Sequence, residues 1–224
     1  MSTLKIIMTA DGSHSLLNEE LHETYHSIHG ASQESQHVFI RNGLEHFLVT
    51  GTTGPVSILE IGFGTGLNAL LTMEVARQKG VFIRYTSLEA FPLGKEIWSA
   101  LNYAPTEKMR QNFSALHETE WGKEVRVVPG FELHKIHATL EEVVLPPGLF
   151  DVVYFDAFAP SKQPELWAIN ILQKVVDAMN CGGIFVTYCA KGQLKRDLKA
   201  LGFAVETLPG PPGKKEMVRA VKKL

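Results

Sequence analysis

The sequence contains only two cysteines among its 224 residues, Cys181 and Cys189. Two cysteines are too few for a disulfide framework or a thiolate metal site, so we expect both to be reduced. The sequence also has no apolar run of the roughly 18 to 20 residues that span a bilayer, and no basic-then-apolar signal at its N-terminus. We therefore predict a cytoplasmic protein that has no membrane partner.

An excess of charge of either sign is also absent, because 22 basic and 24 acidic residues leave a formal net charge of −2. The signs are unevenly distributed, however. Residues 191–224 contain nine basic and three acidic residues, a net charge of +6, so residues 1–190 carry −8. A basic end on an acidic body fits docking of a polyanion beside a site for a cation, and a solvated helix face with a frayed tail is the alternative. The basic residues predicted to bind such a substrate are Lys195, Arg196, Lys214 and Lys215.

A glycine-rich turn follows an apolar strand candidate. The run Val56–Ile61 is rich in β-branched and apolar residues, and three glycines follow at alternating positions, Gly62, Gly64 and Gly66. Glycine adopts positive φ readily and lets a ligand approach the backbone, and amides at the start of the next helix face that ligand. The pattern predicts a strand, a tight turn and a helix start around a bound molecule.

The spacing of these glycines separates two ligand classes. A dinucleotide fingerprint is G-x-G-x-x-G, but Leu67 occupies the position of its third glycine. An acid two positions before G-x-G-x-G, here Glu60, is typical of methyltransferases that use S-adenosyl-L-methionine (AdoMet). Because AdoMet is cationic, we predict that Glu60 and the three glycines bind it.

Strands and helices alternate along the rest of the chain. The predicted strands after the first are Val81–Leu88, Val125–Gly130, Leu149–Phe155, Ile184–Tyr188, Phe203–Leu208 and Met217–Lys222. With helical runs between most of them, this order predicts an α/β fold. We expect residues 55–224 to form a Rossmann-like AdoMet-dependent methyltransferase domain, with a seven-stranded, mostly parallel sheet and helices on both faces.

Residues 1–54 are predicted to form a small hairpin and helical extension. An Asp-Gly turn at residues 11–12 is expected to join strands Leu4–Thr9 and Ser13–Leu17. Helices are predicted for Asn18–His29 and Gln33–Leu48, and the segment 51–55 is expected to end the second.

Histidine is unusually frequent near the N-terminus, with His14, His22, His26 and His29 in the first thirty residues. His22 and His26 have the i, i+4 spacing of some zinc ligands. No third ligand is evident, and helical histidines more often pack or face solvent. We therefore predict no metal.

Two strand ends are predicted to contact the adenosine of AdoMet. Glu89 ends the second strand, where an acid is placed to accept the ribose hydroxyls, although a helix cap or a solvent-exposed group is the alternative. Phe131 lies at the tip of the third strand, where it would stack on adenine; burial beneath a loop is the alternative.

Asp156 follows the fourth strand, at the carboxyl end where ligands bind in open α/β sheets. Methyl transfer from a sulfonium is a direct displacement that requires alignment and desolvation, and a primary alkylamine is mostly protonated at neutral pH. A carboxylate here attracts the amine and stabilises its charge as the proton leaves. Because an unperturbed aspartate has a pKa of about 4, we predict orientation as its first role and proton acceptance as its second. Phe158, Pro160 and Trp167 are candidate walls for a flat substrate, or packing residues of the loop.

Two motifs together carry a resemblance to a known family. These are Glu-Ile-Gly-Phe-Gly-Thr-Gly at residues 60–66 and the more distinctive Asp-Ala-Phe-Ala-Pro-Ser-Lys-Gln-Pro-Glu-Leu-Trp at residues 156–167. On these motifs the chain resembles the MnmC-type tRNA methyltransferases, in particular the stand-alone MnmD form. Residues 25–35, 38–40 and 211–217 are also similar to family segments, so the resemblance covers nearly the whole chain.

The resemblance implies methylation of the aminomethyl group of 5-aminomethyl-(2-thio)uridine at the tRNA wobble position, giving 5-methylaminomethyl-(2-thio)uridine. The partner would then be the tRNA anticodon stem-loop. By position, Glu60, the three glycines and Glu89 would hold AdoMet, and Asp156 would face the amine. Tyr25 and Asn42 lie in segments similar to ones near the family's pocket, and we assign Tyr25 to substrate and Asn42 to cofactor.

The sequence departs from the family pattern in two places. Bifunctional members continue into an FAD-dependent oxidoreductase domain, and this sequence ends at Leu224, so we expect no flavin and an aminomethyl substrate made elsewhere. The tip of the third strand often carries Gly-Asp in relatives, whereas here it reads Gly130, Phe131 and Glu132. That difference leaves the adenine contact open.

Two other functions fit parts of the pattern. One is an AdoMet-dependent methyltransferase acting on a small-molecule or protein amine, which would not need the basic end. The other is a catalytically silent adaptor that keeps the fold and binds RNA. Intact acids at positions 60, 89 and 156 argue against the adaptor.

Overall fold

The computed structural model describes residues 4–49 and 54–223. These residues form a three-stranded sheet, an eight-stranded sheet and the helices around them. The strands are β1 Leu4–Met8, β2 His14–Asn18, β3 Glu23–Thr24, β4 Val56–Ile61, β5 Ile83–Glu89, β6 Glu124–Val128, β7 Phe131–His137, β8 Phe150–Phe155, β9 Met179–Thr187, β10 Phe203–Pro209 and β11 Glu216–Lys222. The α-helices are α1 Ala31–Ser35, α2 His46–Val49, α3 Leu67–Lys79, α4 Lys95–Trp98, α5 Glu107–Glu118, α6 Ile169–Ala178 and α7 Gly192–Ala200, with a π-helix at Gln36–Glu45 and a 3-10 helix at Pro164–Trp167.

The large sheet has the order β10-β11-β9-β8-β4-β5-β7-β6. Its five central strands, β9 to β7, are mutually parallel. Antiparallel pairs close both edges, β6 against β7 on one side and β11 against β9 on the other. The predicted α/β fold with a mostly parallel sheet is confirmed, although the sheet has eight strands instead of the seven expected.

The additional strand corrects the prediction for residues 125–132. The predicted third strand is in fact the edge strand β6, and Gly130, with φ of 84°, turns the chain directly into β7. β7 is the parallel neighbour of β5, with Glu89 opposite His137. The carboxyl tip beside Glu89 is therefore His137, and Phe131 lies at the opposite end of the strand.

Helices cover both faces of the large sheet because its central strands are apolar on both sides. On β4, Val56 and Ile58 pack with α3 and the π-helix, whereas Leu59 and Ile61 pack with α6. All six residues of β4 are buried. This double burial fixes β4 at the centre, with β5 and β8 as its neighbours.

The N-terminal hairpin is confirmed, with β1 and β2 paired from Leu4 opposite Asn18 to Met8 opposite His14. The predicted helix over Asn18–His29 is wrong. The Asn18 side chain accepts hydrogen bonds from the amides of residues 20 and 21, and β3 then pairs with β2. Such side-chain bonds compete with a helix for the backbone.

The second predicted helix is confirmed as the continuous run of α1, the π-helix and α2. The π-helix packs tightly on the sheet through Gly43, where an added Cβ would lie 3.0 Å from a Val186 methyl group. In the predicted break at 51–55, residues 51–53 lie outside the described residues. The boundary between an extension and a domain near residue 54 stays a prediction.

Two helices lie between β5 and β6. They are the single turn α4 and the longer helix α5. Thr106 caps α5 by accepting a hydrogen bond from the Met109 amide, as threonine commonly does at this position. These elements place Phe91 in a loop at the carboxyl edge.

Candidate functional site

A cavity of about 1170 Å³ lies at the carboxyl edge of the parallel strands. It is lined by residues that follow β4, β5, β7 and β8, together with residues of the N-terminal segment. Ligands bind at this edge in open α/β sheets. Its lining includes glycines of the turn together with aromatic, acidic, amide and basic side chains, namely Tyr25, Glu34, Gly62, Gly64, Asn68, Glu89, Phe91, Asp156, Phe158, Tyr188 and Lys214.

The glycine turn forms one wall, and its conformation requires glycine. Gly62, Gly64 and Gly66 have φ of 93°, 49° and 74°. A Cβ on Gly62 would lie 2.9 Å from the Asp156 carbonyl oxygen, closer than carbon and oxygen can pack. The turn therefore presses directly against the strand end that carries Asp156. Of the three, Gly62 and Gly64 line the cavity and Gly66 does not.

Glu89 connects the tip of β5 to this turn. One carboxylate oxygen accepts the Gly64 amide at 2.8 Å and the other accepts the Phe91 amide at 2.8 Å. Burial raises the pKa of Glu89, and these two amide hydrogen bonds lower it. The carboxylate also lines the cavity, where its remaining lone pairs face a ligand.

Asp156 lies on the other side of the turn, directly after β8. Its carboxylate accepts a hydrogen bond of 2.8 Å from the Asn68 side chain. Burial raises the pKa of Asp156 to about 7, with a further increase from the nearby Glu34 carboxylate. The sequence suggested an ordinary aspartate that is a weak base; instead, this carboxylate titrates near neutral pH, where a proton acceptor works best.

Glu60 lies beneath the cavity and does not line it. Only 1% of this residue is exposed, and its carboxylate accepts a hydrogen bond of 2.6 Å from the Ser87 hydroxyl on β5. Burial raises its pKa to about 8. The predicted direct contact of Glu60 with the ligand is therefore corrected: its side chain is mostly protonated at pH 7 and joins β4 to β5 through Ser87.

The predicted substrate walls are only partly at the cavity. Tyr25 and Phe158 line it and pack edge to face, with ring centroids 5.1 Å apart. Pro160 does not line the cavity. Trp167 is buried, and its indole N–H donates to the Phe158 carbonyl at 2.9 Å, so it holds the loop in place.

Two predicted cofactor contacts lie away from the cavity. Phe131 is fully buried at the start of β7, with its ring centroid 5.6 Å from that of Tyr85. Its predicted stacking on adenine is wrong, because the chain turns at Gly130 and begins a new strand. Asn42 lies on the π-helix, and its side chain donates to the His37 carbonyl at 2.8 Å.

The basic residues predicted to bind substrate differ in their surroundings. Lys214 lines the cavity and pairs with Glu34. Lys195 pairs with Glu216 at 3.0 Å. Arg196 and Lys215 are exposed, in the middle of α7 and just before β11. Both elements begin on the carboxyl side of the sheet, since β11 runs antiparallel to β9.

Sequence reasoning missed two histidines that hold the glycine turn. His26 Nε2 lies 2.8 Å from the Thr65 hydroxyl, and His117 Nε2 lies 3.1 Å from the Thr65 carbonyl oxygen. Burial lowers the pKa of both imidazoles to about 4, so both are neutral. The histidine-rich segment thus contributes packing and a hydrogen bond to the turn. Its composition was a visible signal, but the partner Thr65 was not.

His22 and His26 have the i, i+4 spacing of some zinc ligands, but they do not lie on one face of a helix, because residues 23 and 24 form β3. In residues 4–49 and 54–223, no group of three or more His, Cys, Asp or Glu side chains is arranged to hold a metal ion. No helix within those ranges has the length and apolar character needed to cross a membrane.

Comparison with known proteins gives a consistent picture. A family model described as S-adenosyl-L-methionine-dependent methyltransferase matches residues 103–223, more than half of the chain. The bifunctional protein MnmC of tRNA 5-methylaminomethyl-2-thiouridine biosynthesis from Leptospira borgpetersenii is 31% identical over 90% of this chain. The MnmC protein from Pseudoalteromonas atlantica is 30% identical over 99% of this chain. The chain spans only 32% and 34% of these two relatives, about a third of their length.

Among solved structures, the chain is similar to MnmC2 from Aquifex aeolicus. The TM-score is 0.82 and the sequence identity is 24%, over 100% of this chain and 71% of that one. This likeness establishes the shared fold.

Proposed function

Because this chain belongs to the S-adenosyl-L-methionine-dependent methyltransferase family, we propose that it methylates the aminomethyl group of 5-aminomethyl-(2-thio)uridine at the tRNA wobble position. The product is 5-methylaminomethyl-(2-thio)uridine. The name of the MnmC relatives, which refers to biosynthesis of this nucleoside, supports the choice of substrate.

The observation that carries the proposal is the sharing of one cavity by a ribose-binding acid and an amine-binding acid. Glu89 ends β5 and Asp156 directly follows β8; these strands are the two neighbours of β4, and both acids line the cavity. The glycine turn after β4 lies between them. For a donor bound across this turn, Glu89 would hold the ribose and Asp156 would lie on the side of the sulfonium.

The glycine turn fits AdoMet for two reasons. Its positive-φ glycines keep side chains out of the space beside the backbone, and the neighbouring acids favour a cation. When bound, AdoMet supplies a methyl group on a positively charged sulfur. Phe91 and the segment 138–141, which follows the tip of β7, would hold the adenine, since both line the cavity.

Asp156 receives the substrate amine. The amine enters mostly as an ammonium ion, donates a hydrogen bond to the Asp156 carboxylate and transfers a proton to it. The free nitrogen lone pair could then accept the methyl group, with the electron pair of the broken carbon–sulfur bond remaining on sulfur. The secondary ammonium product stays mostly protonated at neutral pH, and Asp156 releases the proton that it accepted to solvent. With its pKa at about 7, Asp156 is matched to the first proton transfer.

The proposed adenine contact is tested by comparing two phenylalanines. Phe91 is 76% exposed, whereas Phe131 is 0% exposed. We expect Phe91→Ala to weaken AdoMet binding about tenfold, because stacking on a base contributes roughly 1–3 kcal/mol. Phe131→Ala is expected to lower the free energy of unfolding by about 3–5 kcal/mol. Calorimetric titration with AdoMet and urea unfolding measure the two effects; loss of AdoMet affinity only in a folded Phe131→Ala protein would contradict this placement of adenine.

The tRNA is proposed to approach the carboxyl side, where exposed cations lie near the cavity. We expect the double reversal Arg196→Glu and Lys215→Glu to raise KM for tRNA about tenfold or more at moderate salt, because phosphate contacts dominate such binding. The matched control is Lys199→Glu with Lys223→Glu, since both are exposed and lie further along their elements from the carboxyl side: Lys199 is three residues after Arg196 on α7, and Lys223 follows the end of β11. Steady-state kinetics at two salt concentrations measure the effect. Equal KM values for the two double variants would favour a small-molecule amine as substrate.

The proposed reaction is tested with tRNA from cells that lack this protein. The tRNA is incubated with the protein and AdoMet carrying a labelled methyl group, digested to nucleosides and analysed by mass spectrometry. We expect aminomethyluridine to gain one labelled methyl group. Label on another nucleoside, or no label in tRNA from such cells, would overturn the proposed substrate.

A further inference from the structure

Three segments that are distant in sequence meet at the cavity wall next to Asp156. Glu34 lies on α1, Tyr188 directly follows β9, and Lys214 lies in the loop between β10 and β11. All three residues line the same cavity as Asp156. The proposed reaction does not yet assign a role to any of them.

Glu34 is a buried carboxylate with two partners. Its side chain is 6% exposed; one oxygen accepts the Ser27 amide at 2.7 Å and the other accepts the Lys214 ammonium. A buried charge is costly unless it is paired and hydrogen-bonded. This pairing holds the β10–β11 loop against the N-terminal segment.

Lys214 also contacts the ring of Tyr188. Its ammonium nitrogen lies 3.9 Å from the ring centroid, a favourable position for a cation–π interaction. The Tyr188 hydroxyl in turn donates to the Ala157 carbonyl at 2.8 Å. The contacts therefore run from Glu34 through Lys214 and Tyr188 to the residue that follows Asp156.

We propose that Glu34, Lys214 and Tyr188 are positioning residues that fix the backbone beside Asp156 and balance the charge that the substrate amine meets there. The proposal rests on the proposed function, because it assigns an amine to this position. Glu34 and Lys214 neutralise each other, so Asp156 is the carboxylate left for the amine. Tyr188 connects the Glu34–Lys214 pair to the end of β8, because its ring contacts Lys214 and its hydroxyl donates to the Ala157 carbonyl.

The two charges act on Asp156 in opposite directions. The Glu34 carboxylate raises the pKa of Asp156, and the Lys214 ammonium lowers it. On the sheet side, Glu60 on β4 and Tyr85 on β5 are the other titratable groups that interact with Asp156.

The charge balance predicts that a second substitution reverses the effect of the first. Glu34→Gln keeps the shape and one of the two acceptor oxygens but leaves Lys214 uncompensated, so the pKa of Asp156 should fall by about one unit. In the double variant Glu34→Gln with Lys214→Met, both charges are absent, and the pKa should return close to its wild-type value. A purely structural role predicts that the double variant is at least as disturbed as the single one.

The test measures the pKa of Asp156 in two ways. The first is a carbon NMR titration of the protein alone, labelled in its aspartate carboxyl groups and assigned by comparison with Asp156→Asn. The second is the acidic limb of kcat/KM for aminomethyluridine tRNA. Tyr188→Phe is expected to lower kcat severalfold without moving this pKa, because it removes only the hydrogen bond to the Ala157 carbonyl.

The outcomes separate this proposal from the proposed function. A lower pKa in Glu34→Gln that returns in the double variant supports the charge balance, even if tRNA is not methylated. An unchanged pKa in both folded variants, or a further decrease in the double variant, overturns it even if the wild-type protein methylates tRNA. Normal kcat in Tyr188→Phe overturns the positioning role of that residue. Thermal unfolding verifies that each variant is folded.

Discussion

Replacement of Asp156 by alanine or asparagine is expected to abolish methyl transfer while AdoMet affinity stays within about threefold of wild type. Removing a positioned proton acceptor costs roughly 10²–10⁴ in rate, and loss of the carboxylate also removes the group that orients the amine. AdoMet affinity is expected to be retained because, in the proposed binding mode, the glycine turn and Glu89 hold most of the donor. Single-turnover transfer and calorimetric titration measure the two quantities.

The pH dependence provides a second readout of the same group. Because the pKa of Asp156 is about 7, wild-type kcat/KM should fall as pH drops below about 7 and the carboxylate becomes protonated. Asp177→Asn is a suitable control, since Asp177 lies on α6 and accepts a hydrogen bond from the exposed Gln173 side chain. Turnover of Asp156→Asn at the rate of this control would remove Asp156 from the mechanism.

Gly62→Ala should disrupt both AdoMet binding and methyl transfer. At φ of 93°, alanine is strained, and its Cβ would lie 2.9 Å from the Asp156 carbonyl oxygen. That oxygen is a backbone atom, and the backbone amide of Asp156 donates a hydrogen bond to the Ile61 carbonyl at 3.1 Å. The clash must therefore displace β8 from β4 or deform the turn. We expect AdoMet affinity to fall at least about a hundredfold and the free energy of unfolding to fall by about 2–4 kcal/mol.

Gly202→Ala separates backbone strain from this clash. Gly202 has nearly the same φ, 91°, but an added Cβ would meet nothing within 4 Å. Gly202→Ala should therefore lower the free energy of unfolding by about 1–2 kcal/mol, the cost of the strained conformation alone. AdoMet binding should be normal. Equal AdoMet affinity of the two alanine variants, measured by calorimetry, would mean that the contact between the turn and Asp156 has no functional consequence.

The positions of residues at the ends of predicted strands could be predicted from the sequence. Gly62 directly follows β4 and Glu89 is the last residue of β5, so the position of each strand end determines the position of each residue. Asp156 was predicted for the same reason. A parallel sheet brings such ends to one edge, and the alternation of strands and helices was enough to predict that sheet.

The tip of β7 was not predicted, because a short turn at Gly130 joins β6 to the start of β7. The turn at Gly130 reads from sequence as the end of a strand, and β7 itself contains charged residues such as Lys135. Lys135 is 1% exposed and donates to the His117 carbonyl at 2.7 Å. A buried lysine defeats the usual alternation of apolar and polar positions, so Phe131 was assigned to the wrong end of the strand.

Contacts between residues that are far apart in the sequence could not be predicted from it. Glu34 and Lys214 are 180 positions apart, and His26 and Thr65 are 39 apart. No local pattern marks such pairs, since they arise from packing of the N-terminal segment over the carboxyl edge. The raised pKa of Asp156 has the same origin, because it depends on burial by segments other than its own.

The central claim is that one cavity holds the methyl donor with its ribose at Glu89 and its sulfur toward Asp156. A crystal structure with S-adenosyl-L-homocysteine, the product left after methyl transfer, tests this claim most directly. We predict that the ribose hydroxyls hydrogen-bond to the Glu89 carboxylate and that the sulfur faces the open space beside Asp156. A ligand bound outside this cavity, or with its sulfur directed away from Asp156, would contradict the account.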